Sequence, residues 1–179
     1  MKRLIILFLF VIIAITSYGQ NYAGMITKDT FLYTSADSSG TMLDTLWEGA
    51  HVFIISLDTA DGFYDIIYVK TNNEGFVPMK YVKVGKVVEE NEEGQFVEQG
   101  EIESFNPEVE IANQTTKMLT LTLNAHTYKI HPNSSKNIVI KPGRINYRGS
   151  VPGAFPTIGH EYLKSHQAYL WRFFFAKYK

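Results

Sequence analysis

The chain has 179 residues, 17 Lys and Arg against 18 Asp and Glu, and a net charge of −1. It contains no cysteine, which excludes a disulfide framework, a thiolate nucleophile and a lipid-modified cysteine. The near-neutral total hides a split: Gln20 to Glu103 holds 5 basic and 15 acidic residues, Ser104 to Lys179 holds 10 and 3.

Taken from the start, Lys2 and Arg3 precede an unbroken apolar run from Leu4 to Ile15, and Thr16–Ser17–Tyr18–Gly19 follow with small residues. That order reads as a signal peptide over 1–19, cleaved before Gln20, and predicts an exported protein, periplasmic or secreted. The run is shorter than the roughly 20 apolar residues of a spanning helix, so no integral membrane span is expected after cleavage. Removing it leaves roughly 160 residues, room for one large or two small domains.

From residue 22 onward the grammar is β. Leu46–Trp47–Glu48–Gly49–Ala50–His51–Val52–Phe53–Ile54 reads as a turn glycine leading into a strand. Gly62–Phe63–Tyr64–Asp65–Ile66, a turn at Asn72–Asn73–Glu74–Gly75, then Phe76–Val77 and Tyr81–Val82 read as a hairpin and a closing strand. This set resembles the bacterial SH3-like (SH3b) family over residues 22–85, with Phe63 and Phe76 where that family most often has tryptophan. The opening motif of the family is reduced here to Phe31–Leu32–Tyr33–Thr34–Ser35. The resemblance implies a small SH3-like barrel and, in many relatives, recognition of cell-wall peptide or glycan, while other relatives serve as spacers. Tyr33, Trp47, Tyr64, Tyr68 and Tyr81 are the candidate ligand-binding aromatics, about half of them expected to be plain packing in so small a core. Asp58, Asp61, Asp65 and Glu74 near the hairpins favour a cationic or amino-bearing partner, or are simply solvated loop acids.

Residues 86–104 hold seven glutamates, a density at which like charges repel and extend a chain. A Glu-rich linker with weak hairpin character is expected, Val87–Val88 facing Phe96–Val97 across Glu93–Gly94. From 105 to 179 apolar residues alternate again: Val109 and Ile111; Leu119, Leu121 and Leu123; Ile138 and Ile140; Ile145 and Tyr147; then the aromatic run Tyr169 to Ala176. Turn formers separate them at Asn124–Ala125, His131–Pro132–Asn133, Pro142–Gly143 and Pro152–Gly153. The pattern predicts an antiparallel β-sandwich. The stretch Ile140 to Tyr147 resembles an element of small prealbumin-like or immunoglobulin-like sandwiches of exported bacterial proteins.

Catalytic chemistry is thinly supported. No Gly-x-Ser-x-Gly element occurs, and Glu108, Glu110 and Glu161 are the only carboxylates of the basic half. His126, His131, His160, Glu161 and His166 invite a zinc reading. Yet His160–Glu161–Tyr162–Leu163–Lys164 places lysine where the His-Glu-x-x-His motif needs its second histidine. No metal site and no cofactor are therefore expected. Arg144, Arg148 and Arg172 are the candidate surface for an anionic partner, with internal pairing to acidic residues as the other reading. No nucleic-acid motif is present. The sequence reading is an all-β, non-enzymatic, exported binding protein of the cell envelope whose partner is a cell-wall polymer or an envelope protein. The alternatives are a structural adaptor holding other envelope proteins and a His-based metal-dependent enzyme.

Overall fold

The computed structural model describes residues 20–59, 61–91 and 94–174. The proposed signal peptide, 1–19, and the end of the aromatic run, 175–179, lie outside the described residues. Among the described residues the chain is all-β, in several mostly antiparallel sheets. No helix there is long and apolar enough to cross a membrane.

The first seven strands are β1 (Tyr22–Ile26), β2 (Thr30–Tyr33), β3 (Met42–Leu46), β4 (His51–Ile54), β5 (Phe63–Tyr68), β6 (Asn73–Pro78) and β7 (Val82–Val87). They form one sheet in the order β3-β2-β6-β5-β4-β1-β7. The expected closed barrel is absent, because β3 and β7 remain as edges. The sheet nevertheless curls over its own core. Ile26, Leu32, Leu46, Val52, Ile54, Ile66 and Val77 are fully buried against one another, with Tyr68 beside them, and one sheet buries its own face only by bending. The β5–β6 hairpin forms, but its turn is Val69–Asn72, with Asn72 supplying the positive φ of 63°. Gly75 sits inside β6 instead, where a Cβ would collide with the Tyr33 carbonyl oxygen. That close approach is what lets the sheet bend there.

The remaining strands are β8 (Val97–Glu101), β9 (Glu108–Asn113), β10 (Leu119–Leu123), β11 (His126–Ile130), β12 (Ser134–Val139), β13 (Gly143–Ser150), β14 (Thr157–Leu163) and β15 (Gln167–Phe173). They make two four-stranded sheets, β11-β10-β13-β14 and β12-β9-β15-β8. The predicted alternation supplies the inner faces: Val109, Ile111, Leu119, Leu121, Ile145, Tyr147, Tyr169 and Trp171 share one core. One pairing departs from the antiparallel expectation, since β15 runs parallel to β9. At the β9 end, buried Asn113 donates from Nδ2 to the carbonyls of Lys117, Ile130 and His131, and its Oδ1 accepts from Thr115. This amide ties two turns together without leaving a buried polar atom unmet.

The Glu-rich segment is not the solvated linker that its charge predicts. Val97 pairs with Leu170 rather than with Val87 or Val88, making β8 the edge of the second sheet. Just before it, Glu161 Oε1 accepts the backbone N–H groups of Gly94 and Gln95 at 2.7 and 2.6 Å, and that of Phe96 at 3.4 Å. Lys164 Nζ donates to Glu98 Oε1 at 2.7 Å, joining edge strands of opposite sheets. Like-charge repulsion therefore loses to local hydrogen bonds, and the segment wraps the open side of the sandwich.

The two cores meet at a seam. Phe53 and Ile67 project from β4 and β5 on the side opposite their own core and pack on Ile158 of β14. Gly153 N–H donates to Val69 O at 2.7 Å, Asn72 Nδ2 to Thr120 Oγ1 at 3.2 Å, and Arg148 Nη2 to Glu74 Oε2 at 2.5 Å. The two cores are thus joined through an apolar centre with a polar rim.

Candidate binding site

Aromatic side chains of β2 and β5 and of the turn before β7 line an open cleft of about 430 Å³. Tyr33, Phe63 and Tyr81 are its rings, and Asp61 and Lys80 add one charge of each sign. Strand parity explains the set. On β5, Tyr64, Ile66 and Tyr68 turn toward the core, so Phe63 faces away from it. The Tyr33 and Phe63 rings meet edge to face at 6.2 Å, and Phe31 approaches Tyr33 in the same manner at 6.4 Å. Such pairs hold rings in place beyond simple area burial. A 3₁₀ turn, Met79–Tyr81, carries Tyr81 to the cleft, and Lys80 Nζ lies 4.9 Å from the centre of that ring. Asp61 sits at positive φ, 50°, beside Gly62 at 81°. The arrangement offers apolar ring faces beside an acid and a base, suited to a segment that is part apolar and part amide or amine.

Of the five aromatics singled out from sequence, Tyr33 and Tyr81 come together here. Tyr68 is 4% exposed in the core, and half-buried Tyr64 packs against the same cluster. Trp47 is 58% exposed and does not line the cleft. Phe63, which is not among those five, also lines the cleft; its parity, opposite to that of buried Ile66, is the sequence signal for it.

The three arginines do not share a surface. Arg144 and Arg148 lie on the outward face of β13, the parity opposite to core residues Ile145 and Tyr147. Arg172 lies outward on β15, on the far side of the sandwich. Arg148, moreover, is engaged with Glu74 at the seam. The histidines are likewise dispersed, and no group of three or more His, Asp or Glu side chains is placed to hold a metal ion among the described residues. Glu161, the carboxylate of the zinc reading, is occupied by backbone amides.

One titratable group at the seam stands apart. Asp65 faces outward from β5, and its carboxyl is pushed up to about 6, first by burial, then by Glu74, with Arg148 opposing both. The folded state then binds an extra proton between pH 4 and 6, so stability falls as pH rises through that window and stays reduced above it. Asp65→Asn is expected to leave stability at pH 4 unchanged and to raise it at pH 7.5. The full displacement would correspond to about 3 kcal/mol, but the group is half-exposed and solvent screening brings the expected gain to about 1 kcal/mol. Urea unfolding at the two pH values measures it.

No protein-family model matches the chain, and no curated protein matches it.

Proposed function

We propose that the chain is a non-enzymatic, exported binding protein of the cell envelope, and that the Tyr33–Phe63–Tyr81 cleft takes a cell-wall peptide or glycan. The observation that supports this reading is the convergence of three half-buried rings, with Asp61 and Lys80 beside them, on one open concavity. Ring faces of this kind stack on sugar or peptide planes, and the flanking charges select among amino- and carboxyl-bearing segments. The SH3-like resemblance of residues 22–85 and the signal-peptide pattern of 1–19 point the same way.

The test is co-sedimentation of the mature chain with purified peptidoglycan at low salt. Retention is expected, and replacing Tyr33 and Tyr81 together by alanine is expected to weaken it at least tenfold, since a few buried aromatics carry most of such an interaction. Equal retention of the double variant would remove the cleft from the account.

A second reading, an adaptor that holds other envelope proteins, is favoured by the apolar edge at β3. Met42, Leu43 and Trp47 are 60%, 42% and 58% exposed there. Cross-linking in cells that captures one defined protein, with no polymer binding, would favour it.

A further inference from the structure

The seam carries a second concavity, separate from the aromatic cleft and about 240 Å³ in volume. Asn21 and Glu90 line it from one side, and Thr122, Asn124 and Asn146 from the sandwich. Ile158, Gly159 and Tyr147 contribute apolar surface. Two charged groups reach it: Arg148 Nη2 lies 2.5 Å from Glu74 Oε2, and Glu90 Oε2 lies 3.1 Å from His160 Nδ1, a contact that offsets the Glu90 charge only when the imidazole is protonated. The other side chains named in its lining are neutral.

Carboxamides and hydroxyls each donate and accept, so this set suits a partner that does both. Asn124 Oδ1 already accepts the Asn146 backbone N–H at 2.9 Å, so that side chain offers its amide hydrogens. Tyr147 is 3% exposed, and its hydroxyl has no hydrogen-bond partner among the described residues. The Asn91 side chain faces that hydroxyl. A Cβ on Gly159 would lie 2.5 Å from that hydroxyl, so the phenol ends beside a residue of the cleft wall. An anionic ligand would lose its hydration here without gaining a free counter-charge, since Arg148 is paired with Glu74. The volume falls below the roughly 300–1,000 Å³ of sites for drug-sized ligands, which limits the occupant to about one ring.

We propose that this inter-unit cleft binds a single ring of a neutral, hydroxyl-rich ligand of the monosaccharide class, held by Asn21, Asn124 and Asn146. The site is independent of the aromatic cleft. Because its walls come from both units, occupancy also tightens the seam and adds to stability by mass action.

Titration of the mature chain with N-acetylglucosamine, followed by backbone-amide chemical shifts, tests this. Shifts are expected at Asn21, Asn124 and Asn146, with half-saturation on the order of 1 mM. Anionic glucuronate is expected to bind at least tenfold more weakly. Asn146→Leu, from the sandwich wall, and Asn21→Leu, from the other wall, are each expected to weaken binding at least tenfold, so a folding failure in one leaves the other to decide. Absence of shifts in the unmodified chain, shifts confined to Tyr33, Phe63 and Tyr81, equal binding of glucuronate, or unchanged binding in a folded variant would each overturn the assignment. Loss of peptidoglycan retention in the Tyr33 and Tyr81 double variant leaves this site unaffected, so the two proposals fail separately.

Discussion

Phe96→Ala is expected to destabilise the chain by about 4 kcal/mol, at the upper part of the range for removing a buried phenylalanine. Phe96 is 5% exposed although it stands in the most acidic stretch of the sequence. Its ring stacks on Trp171 at 5.1 Å with an interplanar angle of 21°, and it meets Tyr147 at 5.7 Å. Trp171 belongs to one sheet of the sandwich and Tyr147 to the other, so Phe96 fills the gap between them on the open side. Three backbone N–H groups held by Glu161 fix its approach, which leaves the surroundings little freedom to collapse into the void. Chemical unfolding monitored by tryptophan fluorescence measures the loss. A change below about 1 kcal/mol would mean that the segment does not close the sandwich.

The second large effect is expected at the seam. Phe53→Ala should cost about 3–4 kcal/mol and also separate the single unfolding transition into two. Phe53 is fully buried, yet it points away from the core of its own sheet and contacts Ile67 and Ile158. Those three side chains, with Ile55 and Val88 beside them, form the apolar centre of the docking surface. The rim contacts cannot replace them, because exposed ion pairs and hydrogen bonds contribute only about 0–1 kcal/mol each. Calorimetry of the variant distinguishes the outcomes. A single transition with an unchanged midpoint would show that the rim, rather than this cluster, couples the two units.

Much of the architecture was readable from side-chain alternation. The strands around Val109, Leu121 and Ile145 lie where period two placed them, with their apolar residues inward. The seam was also written in the sequence, in a less familiar form. Val52–Phe53–Ile54 and Ile66–Ile67–Tyr68 are apolar without alternation, the pattern of strands covered on both faces. The role of Glu161 was not legible, since the amides it holds lie 65–67 residues away and nothing local marks them. The parallel pairing of β9 with β15 was equally hidden, because alternation reports which face a residue takes and says nothing of strand direction. At the cleft the same alternation also separates core from surface. Tyr64 and Tyr68 share the parity of buried Ile66, which assigns them to the core, whereas Phe63 shares the opposite one.

Acidic character misled where local hydrogen bonding decided. Seven glutamates between residues 86 and 104 suggested an extended spacer. Four residues there escape that logic: Phe96 is buried, Glu98 meets Lys164, Glu90 meets His160, and Asn91 N–H donates to Ile158 O at 2.8 Å. The acidic half thereby finds basic partners in the other half, as the charge asymmetry of the chain would favour.

The most direct measurement is a chemical-shift map of the mature chain titrated with a soluble peptidoglycan fragment that carries both its glycan and its stem peptide. Saturable shifts centred on Tyr33, Phe63, Lys80 and Tyr81, and absent at Arg172 on the far face of the sandwich, are the predicted result. A map without saturable shifts around those rings, or one centred on the arginine-bearing faces, would contradict it.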